Sequence, residues 1–272
     1  MINFADRQAT IQVVERLASV GMVIASLESL LRPQTMSDTG LCSWRVHQLV
    51  NKWFINRYFQ STIGWFLPYP RVLCLIVIRL VCAATLLVGG AGSEVMRGAL
   101  TASIVMISFL LTVRSTYGRD GADQMLFLTF TTITVAHAFG SAVARDLALW
   151  FLAAQACLSY LTAGVAKLAS PIWRSGAALP GIFGTDIYGH AWVRNLLARY
   201  PVLVKTGSWS MISFECVFPL ALVGVPALTV TLIVAGATFH VATAVFMRLN
   251  TFLWAFIATY PAVLYCSGVV RL

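Results

Sequence analysis

The chain has 272 residues, of which 59% are hydrophobic and only 11% are charged. A soluble globular protein carries about 25% charged residues, so these proportions exclude a soluble enzyme, a disordered chain and a disulfide scaffold. The net charge of +9 is explained better by basic loops facing anionic lipid headgroups than by nucleic-acid binding. The composition therefore predicts an all-α, multi-pass membrane protein whose first partner is the lipid bilayer, with no nucleic-acid partner.

Apolar stretches long enough to cross a bilayer, about 20 residues, define the predicted organisation. We expect a polytopic bundle of about eight spanning helices, all within a single transmembrane domain over residues 1–272. The expected spans are residues 11–31, 72–89, 99–113, 125–143, 147–168, 209–222, 225–246 and 251–270.

Two long connections, 32–71 and 169–207, interrupt this series, and each is predicted to contain an amphipathic helix at the membrane surface. In the first, the residues from Trp44 to Phe66 interleave aromatic rings with basic side chains, which suits the headgroup region. In the second, Pro201 closes an apolar stripe with helical spacing, which consists of Trp192, Leu196 and Tyr200 with Val193 and Leu197 beside it.

Charged and titratable groups at bilayer depth are costly and are therefore candidates for function. Five positions qualify on this ground: Arg79, His137, Lys167, Glu215 and His240. Arg79 is expected to face the bundle and to need a carboxylate, for which Glu15, Glu28 and Glu215 are the candidates. That pairing could be purely structural. The flanking alanines of His137 would allow it to line a contact between helices.

Lys167 lies one turn inside the apolar boundary of its segment, because its helix must end before Pro171. Position alone leaves two interpretations open. The amine could extend to the headgroups, as lysines near helix ends do. Alternatively, an amine that is partly removed from water loses its proton more readily and can act as a base. Likewise, His240 could be a hydrogen-bonded structural residue, and Glu215 needs either a partner or a proton.

The run QACLSYLTAGVAKL, from Gln155 to Leu168, and the Trp173–Gly176 segment after it resemble the core of the vitamin K-dependent gamma-carboxylase membrane domain. That family and its bacterial relatives, often called HTTM proteins, carry a Gln, a Tyr, an AG-x-x-KL segment and then W-x-x-G. The chain resembles bacterial members, which lack the large soluble domain of the animal carboxylase, although Ala166 stands where the family often has a second lysine. Further matches are Arg16, Tyr69-Pro70, Gly121-Ala-Asp123, Glu215 with Pro219, and Phe239-His240.

The resemblance implies specific chemistry. In the carboxylase, a lysine deprotonates a reduced naphthoquinone, oxygen converts the quinol into a strongly basic alkoxide, and the alkoxide removes a proton from a substrate glutamate before carbon dioxide adds. Lys167 matches the base lysine, and His240 would orient the substrate or quinol. The implied cofactor is a reduced quinone, menaquinone or similar, with no metal. The expected cavity residues are Arg79, His137, Tyr160, Trp173 and Glu215.

We therefore expect a membrane enzyme of the bacterial inner (plasma) membrane that modifies a peptide or lipid-like substrate. A non-catalytic membrane subunit that anchors or stabilises a partner protein complex is the alternative. A transporter is a weaker one, because the sequence shows neither an internal repeat nor paired broken helices. Orientation stays open: the positive-inside rule places both termini outside the cytoplasm and the Lys167 loop inside, whereas the family's reacting end faces the bacterial exterior.

Overall fold

The computed structural model describes residues 6–50, 64–115 and 120–269, and every regular element in these residues is helical. Two short 3-10 helices, Pro33–Met36 and Phe218–Leu222, accompany the α-helices. The α-helices are α1 (Arg7–Leu31), α2 (Trp44–Val50), α3 (Val72–Leu87), α4 (Glu94–Arg114), α5 (Gly121–Phe139), α6 (Ala142–Ala169), α7 (Pro171–Ser175), α8 (Ala178–Phe183), α9 (Ala191–Arg199), α10 (Pro201–Val217), α11 (Pro226–Met247), α12 (Asn250–Ile257) and α13 (Tyr260–Cys266).

Four of the described helices, α1, α4, α6 and α11, are long and apolar enough to cross a membrane. They contain 25, 21, 28 and 22 residues, and about 20 apolar residues span the hydrocarbon core. Helix α3 is also apolar but has 16 residues. This confirms the all-helical fold with membrane-type helices, whereas the count of eight spans stays a prediction.

The chain divides into two compact units. We call Gln12–Arg145 the N-terminal unit, and Asp146–Leu272 together with Met1–Ile11 the C-terminal unit. Within the N-terminal unit, α4 packs against both α3 and α5. Within the C-terminal unit, α10 packs against α7 and α9, and α11 packs against α12 and the second 3-10 helix.

Local capping explains where the helices of the N-terminal unit begin and end. The side chains of Ser93 and Asp120 accept backbone N–H bonds at the starts of α4 and α5, which satisfies donors that a helix leaves free there. Gly140, with a φ of 60°, ends α5 in the left-handed conformation. The predicted span 125–143 is therefore too long, since α5 ends at Phe139 and Val143 belongs to α6.

Prolines determine several boundaries of the C-terminal unit. Helix α6 ends at Ala169, before Pro171, and α9 ends at Arg199, before Pro201, which confirms both predictions. However, the next helix begins at Pro201 and not at residue 209, because proline is well suited to the first turn of a helix. The predicted connection 169–207 is thus largely helical.

The single helix predicted over 251–270 is wrong. Helix α12 ends at Ile257 and α13 begins at Tyr260. Pro261 has no N–H group to donate to the carbonyl of Ile257, and its ring would clash with that carbonyl in a continuous helix. The chain therefore forms two short helices where the apolar length alone predicted one.

The two predicted surface helices correspond in part to α2 and α9. Residues 51–63 of the first segment lie outside the described residues. In α9, Val193 and Leu197 are buried, whereas Trp192 and Tyr200 at its end are exposed. A helix is present over Ala191–Arg199, and the amphipathic character and membrane-surface location of both segments stay predictions.

Candidate functional site

A cavity of about 280 Å³ lies in the C-terminal unit, beside the second half of α6. Most of its lining is aromatic or aliphatic, and a few polar side chains converge on it, which is the composition typical of a small-molecule site. Five of the seven site residues predicted from the sequence line this cavity: Tyr160, Lys167, Trp173, Glu215 and His240.

An ion pair between Lys167 and Glu215 lies at this cavity. The amine Nζ donates to Oε1 at 2.7 Å and to Oε2 at 2.6 Å. The Glu215 side chain is only 4% exposed and that of Lys167 is 18% exposed. Glu215 therefore has the partner that its burial requires, and the amine is directed to a carboxylate in the cavity wall.

Gly164 allows this ion pair to form. A β-carbon at position 164 would lie 2.8 Å from the backbone nitrogen and Sγ of Cys216, and 2.9 Å from Cβ of Glu215. Only a residue without a side chain permits α6 and α10 to approach so closely. Lys167 is less than one turn further along α6, so the contact at Gly164 places its amine opposite the carboxylate. In the AG-x-x-KL segment, Gly164 thus allows α6 to approach α10, and Lys167 forms the ion pair with Glu215 of α10.

The Trp173–Gly176 segment holds an aromatic ring against the amine. Nζ of Lys167 lies 5.2 Å from the centre of the Trp173 ring, within cation–π range. The hydroxyl of Ser208 donates to the Trp173 carbonyl. Gly176, with a φ of 90°, ends α7 in a conformation that favours glycine. The W-x-x-G motif is therefore a tryptophan followed by the glycine that ends its helix.

A second group of polar side chains forms a chain of hydrogen bonds. The hydroxyl Oη of Tyr160 lies 2.7 Å from Nε2 of His240 and 2.7 Å from Oη of Tyr260. All three side chains are buried. A β-carbon at Gly236 would collide with the Tyr260 hydroxyl, so this glycine provides the space in which the two tyrosines meet.

His240 has one ring nitrogen without a partner. The residue is 2% exposed, its ring stacks on Phe256 at 4.4 Å between centroids, and it lines the cavity. Its Nδ1 is buried and finds no hydrogen-bond partner among the described residues. Buried polar atoms are nearly always satisfied, and each exception needs an explanation.

The other two predicted site residues belong to the N-terminal unit and are not among the residues that line the cavity. Nε2 of His137 lies 2.9 Å from Oε2 of Glu15, whose other oxygen accepts from Nη1 of Arg97 at 2.5 Å. Glu15 is fully buried. Arg79 is also buried, and its Nε donates to Ser26 Oγ at 3.0 Å. The carboxylate partner expected for Arg79 stays a prediction.

The sequence predicted neither Tyr260 nor the pairing of His137 and Arg97 with Glu15. A signal existed for the tyrosine, because a tyrosine in an apolar segment usually needs a hydrogen-bond partner for its hydroxyl. Arg97 precedes the predicted span 99–113, whereas it lies in the first turn of α4 and is buried.

Among residues 6–50, 64–115 and 120–269, no three His, Cys, Asp or Glu side chains are grouped so that they could hold a metal ion. Comparisons of the chain with protein-family models, with curated proteins and with solved structures find no match. The likeness to the carboxylase family therefore rests on the sequence motifs quoted above.

Proposed function

We propose that this protein is a multi-pass membrane enzyme of the bacterial inner membrane, similar to the carboxylase membrane core, and that it removes a proton from an apolar substrate in the cavity. The observation that carries the proposal is the Lys167–Glu215 ion pair in the wall of an otherwise largely aromatic cavity. Eight membrane crossings belong to the same proposal, with α12 and α13 together forming the last of them. The proposal also includes membrane-surface locations for α2 and α9.

An ammonium group held by two carboxylate oxygens is not itself a base, so the pair must first rearrange. Two charges in apolar surroundings are far more costly than the neutral amine and acid that result when a proton moves between them. The Lys167 side chain still has 18% of its surface exposed. A substrate that fills the cavity removes this remaining water and favours transfer of the proton from Nζ to Glu215.

The neutral amine of Lys167 then accepts a proton from the substrate. The products of this step are a Lys167 ammonium and a substrate anion that lies beside it, while Glu215 keeps the first proton. When the product leaves and water returns, Glu215 releases its proton and the ion pair forms again. A positioned general base of this kind contributes about 10²–10⁴-fold to a rate.

The size of the cavity favours a ring-shaped headgroup as the first ligand. Its volume of about 280 Å³ lies just below the range for ligand sites, roughly 300–1,000 Å³, and is too small for a folded peptide segment. A reduced naphthoquinone such as menaquinol supplies, when bound, an acidic hydroxyl and electrons for reaction with oxygen. The described residues fit such a group, because Trp173 and Phe256 offer aromatic surfaces and Lys167 would meet an oxygen.

Oxidation of menadiol, the reduced form of 2-methyl-1,4-naphthoquinone, tests the proposal. The full chain in lipid nanodiscs should consume oxygen faster than protein-free nanodiscs with the same quinol. Lys167→Ala should lower the protein-dependent rate about 10²–10⁴-fold. Lys167→Arg should also fail, because a guanidinium stays protonated. Lys205→Ala, which changes an exposed lysine of α10, is the matched control and should keep the full rate.

The alternative function, a non-catalytic subunit that anchors a partner membrane protein, predicts a different result. Trp192 and Tyr200 leave aromatic surface exposed at α9, which would suit a docking role. A subunit of this kind would show no protein-dependent quinol oxidation in any variant. Full activity in both Lys167 variants would contradict the base assignment.

A further inference from the structure

A small apolar cluster joins the short helices α7, α8 and α9 to the end of α11. Leu179 of α8 and Val193 and Leu197 of α9 form its buried centre. Trp173 of α7 and Phe246 of α11 pack against this centre. Because Leu179 and Trp173 also line the cavity, these helices and the end of α11 meet at one border of the cavity.

This part of the C-terminal unit is rich in positive charge. Asp186 is its exposed carboxylate, whereas five basic side chains are exposed: Arg174, Arg194, Arg199, Lys205 and Arg248. Within the described part of the chain, no carboxylate lies within ion-pair distance of any of the five. These charges are therefore not neutralised by the protein itself and are available to an anion.

Two of the arginines are next to residues that line the cavity. Arg174 directly follows Trp173, and Arg248 lies between Met247 and Leu249. Trp173 and the end of α11 pack in the same apolar cluster. Both arginines therefore lie at the same border of the cavity.

The backbone of Arg248 is in a strained conformation. Its φ of 61° and ψ of 27° are left-handed, and every other described residue with a positive φ is a glycine. A side chain is unfavourable in this conformation, which is why glycine usually ends a helix in this way. The helix dipole favours a cation here, but a cation in the last turn of α11 would gain the same benefit without strain. The strain therefore indicates a function for the guanidinium beside the cavity.

Exposed aromatic rings accompany the two arginines. The ring of Trp192 is exposed and stacks on Phe246 at 5.9 Å between centroids, two residues before Arg248. The indole of Trp209 is also exposed, and its Nε1 donates to the carbonyl of Arg174 at 3.2 Å. Tryptophan together with basic side chains is typical of protein surfaces at the level of lipid headgroups. The rings offer contacts to acyl chains where the guanidinium groups offer contacts to an anion.

We propose that Arg174 and Arg248 bind the phosphate of an anionic phospholipid, such as phosphatidylglycerol, at the border of the cavity. A guanidinium donates paired N–H bonds to phosphate oxygens. The choline of phosphatidylcholine carries a positive charge that the two arginines repel, whereas the glycerol of phosphatidylglycerol is neutral. The site therefore distinguishes anionic from zwitterionic lipids. This inference is independent of the reaction proposed for Lys167, because lipid binding needs no turnover.

Thermal unfolding of the full chain in an uncharged detergent measures lipid binding, because a ligand of the folded state raises Tm as its concentration rises. Dioctanoyl phosphatidylglycerol should bind at least about fivefold more tightly than dioctanoyl phosphatidylcholine. Inorganic phosphate should bind much more weakly, because it has no acyl chains to contact the aromatic rings. Equal binding of the two lipids, or of phosphate and phosphatidylglycerol, would overturn the proposal. Tighter binding of a hexaglutamate peptide would also overturn it and would assign the surface to an acidic protein partner.

Variants of single cations locate the lipid site. Arg174→Gln and Arg248→Gly should each weaken the binding of phosphatidylglycerol about fivefold, the usual contribution of one basic side chain near an anionic headgroup. Arg32→Gln removes an exposed cation of the N-terminal unit and is the matched control, which should keep the affinity within about twofold. An equal loss of affinity in Arg32→Gln would mean that only the net charge matters, and the assignment of the site would be wrong.

Arg248→Gly also separates lipid binding from a role in folding. Glycine adopts the left-handed conformation without strain, so the lipid-free variant should unfold at the wild-type Tm or above it. Arg248→Asn, which also tolerates this conformation, should behave in the same way. Weaker binding of phosphatidylglycerol with an undiminished Tm would support the proposal. A lower Tm in both variants without lipid would show that the arginine serves the fold, which would contradict the proposal.

Discussion

The Lys167–Glu215 ion pair makes a quantitative prediction about stability. Lys167→Met keeps the unbranched side chain but removes the charge, and it leaves a carboxylate that is only 4% exposed. Removal of one partner of a buried ion pair costs about 3–5 kcal/mol in the free energy of unfolding. Since Lys167 is 18% exposed, we expect about 3 kcal/mol, the lower end. For a chain of this size, that corresponds to a decrease of about 6–12 °C in Tm.

The double variant separates the ion pair from simple loss of packing. Replacement of both partners by apolar residues of similar volume is often neutral or stabilising. Lys167→Met combined with Glu215→Met should therefore unfold within about 1 kcal/mol of the wild type. Glu215→Met alone should cost less than Lys167→Met, because the flexible lysine can extend to water. If the double variant is nearly neutral, the coupling energy equals the sum of the two single losses and should therefore exceed about 3 kcal/mol in magnitude.

Thermal unfolding in detergent, followed with a thiol-reactive fluorescent dye, measures these differences. Cys82 and Cys157 are buried, so their thiols become accessible when the units unfold. Lys205→Met, at an exposed position of α10, is the control and should leave Tm nearly unchanged. If the decreases in unfolding free energy of the two single variants simply add in the double variant, the two side chains do not interact. That result would contradict the proton-transfer scheme.

Three further predictions concern other contacts. Gly164→Ala places a β-carbon against α10, so it should cost about 1–3 kcal/mol and lower quinol oxidation. If Gly164→Ala kept the wild-type Tm and the wild-type rate of quinol oxidation, α6 and α10 could move apart without cost and the close contact would not be needed. Gly236→Ala places a β-carbon against the Tyr260 hydroxyl, so it should cost about 1–3 kcal/mol, and a wild-type Tm would argue against the close contact. Arg97→Leu removes one partner from fully buried Glu15, so its yield in detergent should fall well below that of exposed Arg194→Leu. Equal yields would contradict this.

The helical architecture could be predicted where local chemistry determines it. Apolar length and the prolines at 171 and 201 gave correct ends for α6 and α9. The break between α12 and α13 was missed because apolar length outweighed Pro261 in the prediction. The start of α10 was missed because its first turns carry Lys205 and other polar residues, which pointed to a connection.

The site was predictable as a set of residues but not as a set of contacts. Buried polar side chains are unusual enough in an apolar chain to be noticed individually, as Lys167, Glu215 and His240 were. Their pairing depends on the register of helices far apart in sequence, as the Lys167–Glu215 separation of 48 residues shows. That register is set by contacts such as the one at Gly164, which no periodicity in the sequence indicates. For the same reason, the cluster around Glu15 could not be assembled from the sequence.

The close contact at Gly164 is also a point about which α6 and α10 can rotate relative to each other. The Lys167 amine projects from α6 three residues beyond this point, about 4.5 Å along the helix axis. A rocking of α10 by roughly 10° about the contact would move Glu215 relative to the amine by about 1 Å, enough to lengthen hydrogen bonds of 2.6 and 2.7 Å beyond their normal range. A change in bilayer thickness, which alters helix tilt, would therefore lengthen or shorten the hydrogen bonds of this ion pair.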